Sequence, residues 1–115
     1  MLLTHTSSII DNWDVIKYYN GDPTISMKDY FPAYFHGDNY DEKKNWADWK
    51  PGLATSYEYS NTAIGLAGYL AGLLNSEKLA FNVYCNEKIF KPLGMTNTAF
   101  FLSEVKDINN VAIPY

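Results

Sequence analysis

From Ala63 to Leu74 the chain reads AIGLAGYLAGLL, twelve uncharged residues of which three are glycine. Ala63, Leu66, Ala67, Leu70, Leu73 and Leu74 recur at three- and four-residue spacing, one stripe of an α-helix, while Gly65, Gly68, Ala71 and Gly72 leave the other faces almost bare. Each interior glycine costs a helix on the order of 1 kcal/mol relative to alanine. Such a helix persists only where neighbours pack closely on its backbone, so the segment should be central to the fold. It is too short to span a bilayer, which takes about twenty apolar residues.

The stretch that leads into it is Tyr57-Glu58-Tyr59-Ser60-Asn61-Thr62. Ser60, Asn61 or Thr62 can cap the helix, and Tyr59 can staple its ring against a residue one turn in. Local physics thus accounts for the motif without chemistry. Beyond the helix, Asn75-Ser76-Glu77 supplies a cap and a first-turn acid for a second helix, Lys78 to Phe90, which gives a central helix pair over 62–91. Glu87 and Lys91 add an i,i+4 pair, and Pro92 stops the helix. Leu93-Gly94-Met95 reads as a turn and Thr98 to Leu102 as extended; Ser103 to Tyr115 shows no period.

Upstream, Leu2-Leu3-Thr4-His5-Thr6-Ser7-Ser8 reads as a helix end running into a loop. Residues 13–50 form an aromatic-rich region: Trp13 to Trp49 holds ten of the nineteen aromatics, broken by the turn sequences Asn20-Gly21-Asp22-Pro23 and His36-Gly37-Asp38-Asn39. Thr24 or Ser26 can cap a short helix over Met27 to Phe35, in which Pro32 fits a first-turn position or a kink. Pro51-Gly52 closes the region and opens a loop that ends at Tyr59-Ser60-Asn61.

Nine lysines, no arginine and a net charge of −4 lack the basic footprint of a phosphate-backbone binder, which excludes nucleic acid as a partner. Cys85, the single cysteine, lies among Phe81, Val83, Tyr84 and Ile89 and reads as a small buried hydrophobe. His5 reads as a structural hydrogen bonder and His36 as a loop residue. No histidine pair stands at metal spacing and no Gly-x-Ser-x-Gly occurs, so neither a metal nor a cofactor is expected. One Ser-x-x-Lys, Ser103 to Lys106, is a chance match: seven serines and nine lysines in 115 residues produce such a spacing about half the time by accident.

Three segments read together say more than any one of them. Leu2-Leu3-Thr4-His5-Thr6-Ser7, Pro51-Gly52 followed by Tyr59-Ser60-Asn61, and Ile89-Phe90-Lys91-Pro92-Leu93-Gly94-Met95-Thr96-Asn97-Thr98 stand in the order and spacing of one group. In this the chain resembles the serine β-lactamase-like hydrolases, which include class C β-lactamases, penicillin-binding DD-peptidases and related esterases. The resemblance implies a mainly α chain: residues 1–115 as a partial domain, most of the helical subdomain of the β-lactamase/transpeptidase-like α+β fold, with the sheet and nucleophile helix absent. It makes Tyr59-Ser60-Asn61 the second of three active-site boxes, the counterpart of Ser-Asp-Asn in class A enzymes. On this resemblance Tyr59 is catalytic, carrying the proton of a nucleophilic serine. Asn61 is catalytic and substrate-binding, and Ser60 is a tolerant middle position.

The nucleophile box belongs upstream of Leu2 in this pattern, so the 115-residue chain alone is expected to be inactive and to self-associate through an apolar face that the serine-bearing helix would cover. The implied partner is a small-molecule amide or ester, and the implied location periplasmic, extracellular or membrane-anchored. The competing reading is a non-catalytic domain that binds sugars or peptides through its aromatic region, which needs several of Trp13, Tyr40, Trp46 and Trp49 to be exposed together.

Overall fold

In the computed structural model, which describes residues 1–53 and 56–112, four α-helices succeed one another: α1 (Met27–His36), α2 (Glu42–Asn45), α3 (Asn61–Leu74) and α4 (Phe81–Cys85). A π-helical turn, Asn86–Phe90, continues α4. Short 3-10 turns occupy Leu2–Thr4, Leu102–Glu104 and Ile108–Asn110. Among the described residues no sheet forms, and the antiparallel bridge Ile9–Trp46 is isolated. The mainly α character expected from the sequence is what the chain adopts.

Helix α1 starts where Ser26 caps it: the Ser26 hydroxyl accepts from the Asp29 amide at 3.2 Å and donates to the Asp29 carboxylate at 2.5 Å. Pro32 sits in the second turn, one turn deeper than a first-turn proline, and the helix continues through it. Phe31 and Tyr34 are buried on either side of it in sequence, so packing holds a turn that lacks one amide donor. His36, expected in a loop, is instead the last residue of α1, because the Gly37 amide still bonds the Ala33 carbonyl at 2.9 Å.

The core gathers around Ile9, Tyr34 and Ala63, with Leu2, Val15, Tyr30, Phe35, Trp46 and Leu66 against them. Its centre is polar as well as aromatic. Asn12, Asn45 and Tyr34 are all fully buried, and each hydrogen-bonding group there has a partner. Asn12 Nδ2 donates to Asn45 Oδ1 at 2.8 Å, Asn45 Nδ2 donates to the Tyr34 carbonyl at 2.8 Å, and the Tyr34 hydroxyl donates to the Ile10 carbonyl. Burial pushes the Tyr34 phenol above its ordinary pKa, which keeps it a donor. Segment 5–12 is thereby tied to α1 and α2, and further by the bonds Ile10 N–H to Asn45 O and Ala47 N–H to Ser8 O.

Helix α3 meets its expectation of close neighbours at two glycines. A Cβ on Gly68 would stand 3.3 Å from the Phe81 ring, and one on Gly72 would stand 3.0 Å from the Phe81 backbone nitrogen. The second helix begins later than expected, at Phe81 in place of Lys78. Lys78 takes a left-handed φ of 57°, which no helix interior accepts. Asn75 turns its side chain to the end of α3: its Nδ2 reaches the Gly72 and Leu79 carbonyls at 2.7 Å each, and its Oδ1 accepts from the Leu79 amide. The residue expected to open the second helix thus closes the first. Thr98 to Leu102, expected as extended, finds no partner strand among the described residues. Its end curls into a 3-10 turn whose Leu102 and Ser103 amides donate to the Asp22 carboxylate. Cys85 is buried, as its neighbours indicated.

The chain is expanded for its length. Its Cα radius of gyration is 16.2 Å, where a compact domain of this size has about 13 Å. Leu70, Leu73, Leu74 and Val83 on α3 and α4 are exposed.

The glycine contacts generate a paired prediction. Gly65→Ala, whose new methyl would meet only the Phe31 ring at 3.8 Å, should raise stability by about 1 kcal/mol through helix propensity. Gly72→Ala should lower it, because backbone atoms of Phe81 cannot yield as a side chain can. Urea midpoints of the two variants, moving in opposite directions, are the check.

Candidate active site

Helix α3 opens with no acid in its first turn, yet the amides of its first residues all have acceptors. Ser60, the N-cap, is fully buried and its Oγ accepts from the Ala63 amide at 3.0 Å. The Ser60 amide donates to His5 Nδ1 at 3.1 Å. The Asn61 and Thr62 amides donate to the two oxygens of Asp11, at 3.0 and 2.9 Å. The same carboxylate accepts from the Ser60 hydroxyl at 3.1 Å and from Asn61 Nδ2 at 2.7 Å. One acid from fifty residues upstream therefore takes four hydrogen bonds at this helix end, where the helix dipole also favours negative charge.

Partial burial pushes the Asp11 carboxyl up, but the hydrogen bonds from the backbone and side chains of Thr62 and Asn61 outweigh it and hold the group below the usual carboxylate value. His5 has its own constraint. It accepts at Nδ1, so that nitrogen carries no proton and the neutral ring is protonated at Nε2. His5 also stands at a left-handed φ of 54°, and the Gly52 and Glu58 amides bond the Thr6 and His5 carbonyls at 2.7 and 3.1 Å. Segment 5–12 is in this way laid against the chain that enters α3. The expectation of a structural, hydrogen-bonding His5 holds.

Tyr59 immediately precedes the cap and is 58% exposed. Its ring lies tilted on the His5 imidazole, centroids 4.5 Å apart, and Tyr57 meets the same imidazole edge-on at 5.6 Å. Asn61, also exposed, accepts from the Tyr59 hydroxyl at 3.5 Å, a long contact. The two residues singled out in the sequence thus stand side by side on an open surface. Ser60, between them, is buried and hydrogen-bonded in three directions.

The other candidates lie elsewhere. Ser103 is in the 3-10 turn that Asp22 holds, and Lys106 lines a groove with Asn82, Phe90, Met95 and Phe100. Among the described residues no hydrogen bond joins either of them to Tyr59 or Asn61. His36 borders an apolar groove with Ile9, Phe35, Tyr40, Trp46 and Leu66. Of the four aromatics that a stacking surface would need, Trp13 and Tyr40 are exposed while Trp46 and Trp49 are half-buried, and Trp46 packs on Phe35. No group of three or more His, Cys, Asp or Glu among the described residues could hold a metal.

The order of LLTHTS, Tyr59-Ser60-Asn61 and IFKPLGMTNT along one chain, with the first laid against the second in space, is the setting in which the comparison with known families can be read. The model of the family described as Beta-lactamase matches residues 1–115. The chain belongs to the Beta-lactamase family. Membership places it with serine hydrolase-like proteins. No curated protein and no solved structure matched it. Among the described residues no helix of this family member is long and apolar enough to cross a membrane.

Asp11 is not legible as a site residue in the sequence. It stands in Ile9-Ile10-Asp11-Asn12 with no period or motif around it. The one available signal is negative: a capped helix without a first-turn acid leaves a positive end that some other residue has to meet. Which acid meets it is a tertiary fact.

The sign of the Asp11 effect gives a test. A carboxyl held below its unfolded value of about 3.9 contributes stability that is fully present above that pH and disappears as pH falls through the folded value. Asp11→Asn should therefore lower the urea midpoint at pH 7 and flatten the acid limb of the stability curve below about pH 4. Equal acid limbs in the two proteins would show that Asp11 does not carry this contribution.

Proposed function

We propose that this chain supplies the Tyr-x-Asn box of a serine acyl-transfer enzyme that acts on a small amide or ester. The observation that carries the reading is the pairing of Tyr59 with Asn61 on an open surface at the start of α3, in a chain that belongs to the Beta-lactamase family.

The chemistry asks for that pairing. A serine hydroxyl attacks the carbonyl and its proton passes to the Tyr59 phenolate. The same proton then goes to the departing amine or alcohol, and water hydrolyses the acyl-enzyme that remains. A phenol with a pKa of about 10 is barely ionised at neutral pH, so a neighbouring ammonium has to favour the phenolate. Asn61 is the side chain that would orient such a lysine and the substrate amide. The 115 residues contain one Ser-x-x-Lys, and its Ser103 and Lys106 stand apart from Tyr59. On this reading the serine and lysine that serve Tyr59 are residues other than Ser103 and Lys106, and these 115 residues do not turn over substrate by themselves.

The same account explains the exposed leucines of α3 and the expanded shape. They form a face that a nucleophile-bearing helix would cover, and in the isolated chain a second copy covers it.

Four measurements test this. The isolated chain should take no label from a fluorescent penicillin or a fluorophosphonate, and should sediment above its 13.1 kDa monomer mass. Labelling, or a sharp monomer boundary, would overturn the respective claim. Sequencing the source DNA through both ends should find an in-frame Ser-x-x-Lys upstream and a Lys- or His-led glycine box downstream. In the protein so extended, Tyr59→Phe should cut turnover by about 10²- to 10⁴-fold; stop codons on both sides, or unchanged turnover, would sink the catalytic reading.

A further inference from the structure

The hydrogen bonds around Tyr59 and Asn61 are unequally distributed. The Asn61 side chain and the Tyr59 ring both meet segment 5–12. Asp11 Oδ2 accepts from the Asn61 backbone amide and from Asn61 Nδ2, at 3.0 and 2.7 Å. A carboxylate has only acceptors to offer, so it can bind the NH₂ end of that side chain and not the oxygen end. The other end of the amide, Oδ1, is thereby turned to the Tyr59 hydroxyl. His5 acts on Tyr59 in two ways: its Nδ1 holds the amide of the next residue, Ser60, and its ring is the surface on which the phenol ring lies. A 58%-exposed tyrosine would otherwise be free to change rotamer.

We propose that Asp11 and His5 are the positioning residues of the Tyr59–Ser60–Asn61 box. Asp11 sets which end of the Asn61 amide faces the phenol, and His5 sets where the phenol stands. The box presents an acceptor oxygen, not a donor, beside the Tyr59 hydroxyl, which suits a cationic neighbour such as an ammonium and rejects an anionic one. The functional weight of this inference rests on the Tyr-x-Asn reading above, but its geometry does not.

The test is NMR of the 115-residue chain in wild-type, Asp11→Asn and His5→Phe forms, with far-UV circular dichroism to confirm folding. In the wild type the Asn61 side-chain NH₂ and the Thr62 amide should exchange slowly with solvent, and the Tyr59 ring should show cross-relaxation to His5. In Asp11→Asn both exchange rates should rise by about tenfold or more, the loss expected for hydrogen bonds to a charged acceptor. The Tyr59 signals should shift with them, because Asn61 can then turn over. In His5→Phe the Ser60 amide should lose protection while the Asn61 signals stay.

A lower melting temperature with unchanged Asn61 exchange and Tyr59 shifts would mean that Asp11 is a cap and nothing more, and would overturn the proposal. Should Asp11→Asn not fold, Asp11→Glu is read in its place: the longer carboxylate displaces the Tyr59 and Asn61 signals if the proposal is right and leaves them unmoved if it is wrong. None of these readouts depends on turnover. Failure of the catalytic reading shows in Tyr59→Phe kinetics, and failure of this one in the Asn61 spectrum.

Discussion

The carboxylate of Asp11 is the interaction on which the rest of the structure depends. It ties together two stretches distant in sequence, segment 5–12 and the glycine-rich helix α3. A capped helix normally meets its first amides with its own Ser, Asp or Glu. Here Ser60 meets one amide, and Asp11 and His5 meet the rest. The arrangement leaves no orphan donor at the buried end of α3 and places Thr62 and Ala63 in the core. Segment 5–12 is in turn bonded to α2 and to the chain around Gly52 and Glu58. Removing one charge would therefore loosen both attachments.

Around that junction the interior is built from hydroxyls, amides and rings more than from aliphatic side chains. Tyr34, Asn12 and Asn45 are among the most buried of the described residues, and no buried side-chain polar atom among them lacks a partner. Such a core specifies geometry sharply, because each misplacement strands a donor or acceptor. It supplies less hydrophobic driving force than a leucine core of equal size would. Of the aliphatic residues that could have filled it, Leu66 packs on the core while Leu70, Leu73 and Leu74 of α3 and Val83 of α4 are exposed. An expanded chain with an ordered polar centre and a bare apolar helix face is what that division of labour produces, and it fits a unit that meets a further surface.

The site grows from the same junction. Tyr59 and Asn61 lie at the one place where three separate stretches, LLTHTS, the Ile-Ile-Asp run and the α3 cap, converge. Their side chains are open to solvent while the amides of Ser60, Asn61 and Thr62 are all bonded. Exposed side chains on a well-bonded backbone are what the proposed role of Tyr59 and Asn61 requires, since groups can be held in place without being buried.

Much of this is legible in the sequence. The three- and four-residue apolar spacing locates α3, Ser60 its cap, Ser26 the start of α1, and the neighbours of Cys85 its burial, because helix periodicity and capping act within a few residues. Three motifs in order point to the Beta-lactamase family. The misreadings share a different cause. Sequence alone starts the second helix at Lys78 because Asn75 is a good cap for the residues after it, and nothing local says that its side chain turns back to α3 instead. The burial of Ser60 goes unread because it depends on residues 5–12, and Asp11 passes unnoticed because its partners lie fifty positions away. The sequence by itself determined α1, α3 and the company this chain keeps among known proteins; only the tertiary structure decided which acid meets the end of α3. Any carboxylate satisfies the electrostatics of a helix end, and the choice is made by which one the folded chain brings within hydrogen-bonding reach, 3.0 Å from the Asn61 amide and 2.9 Å from that of Thr62.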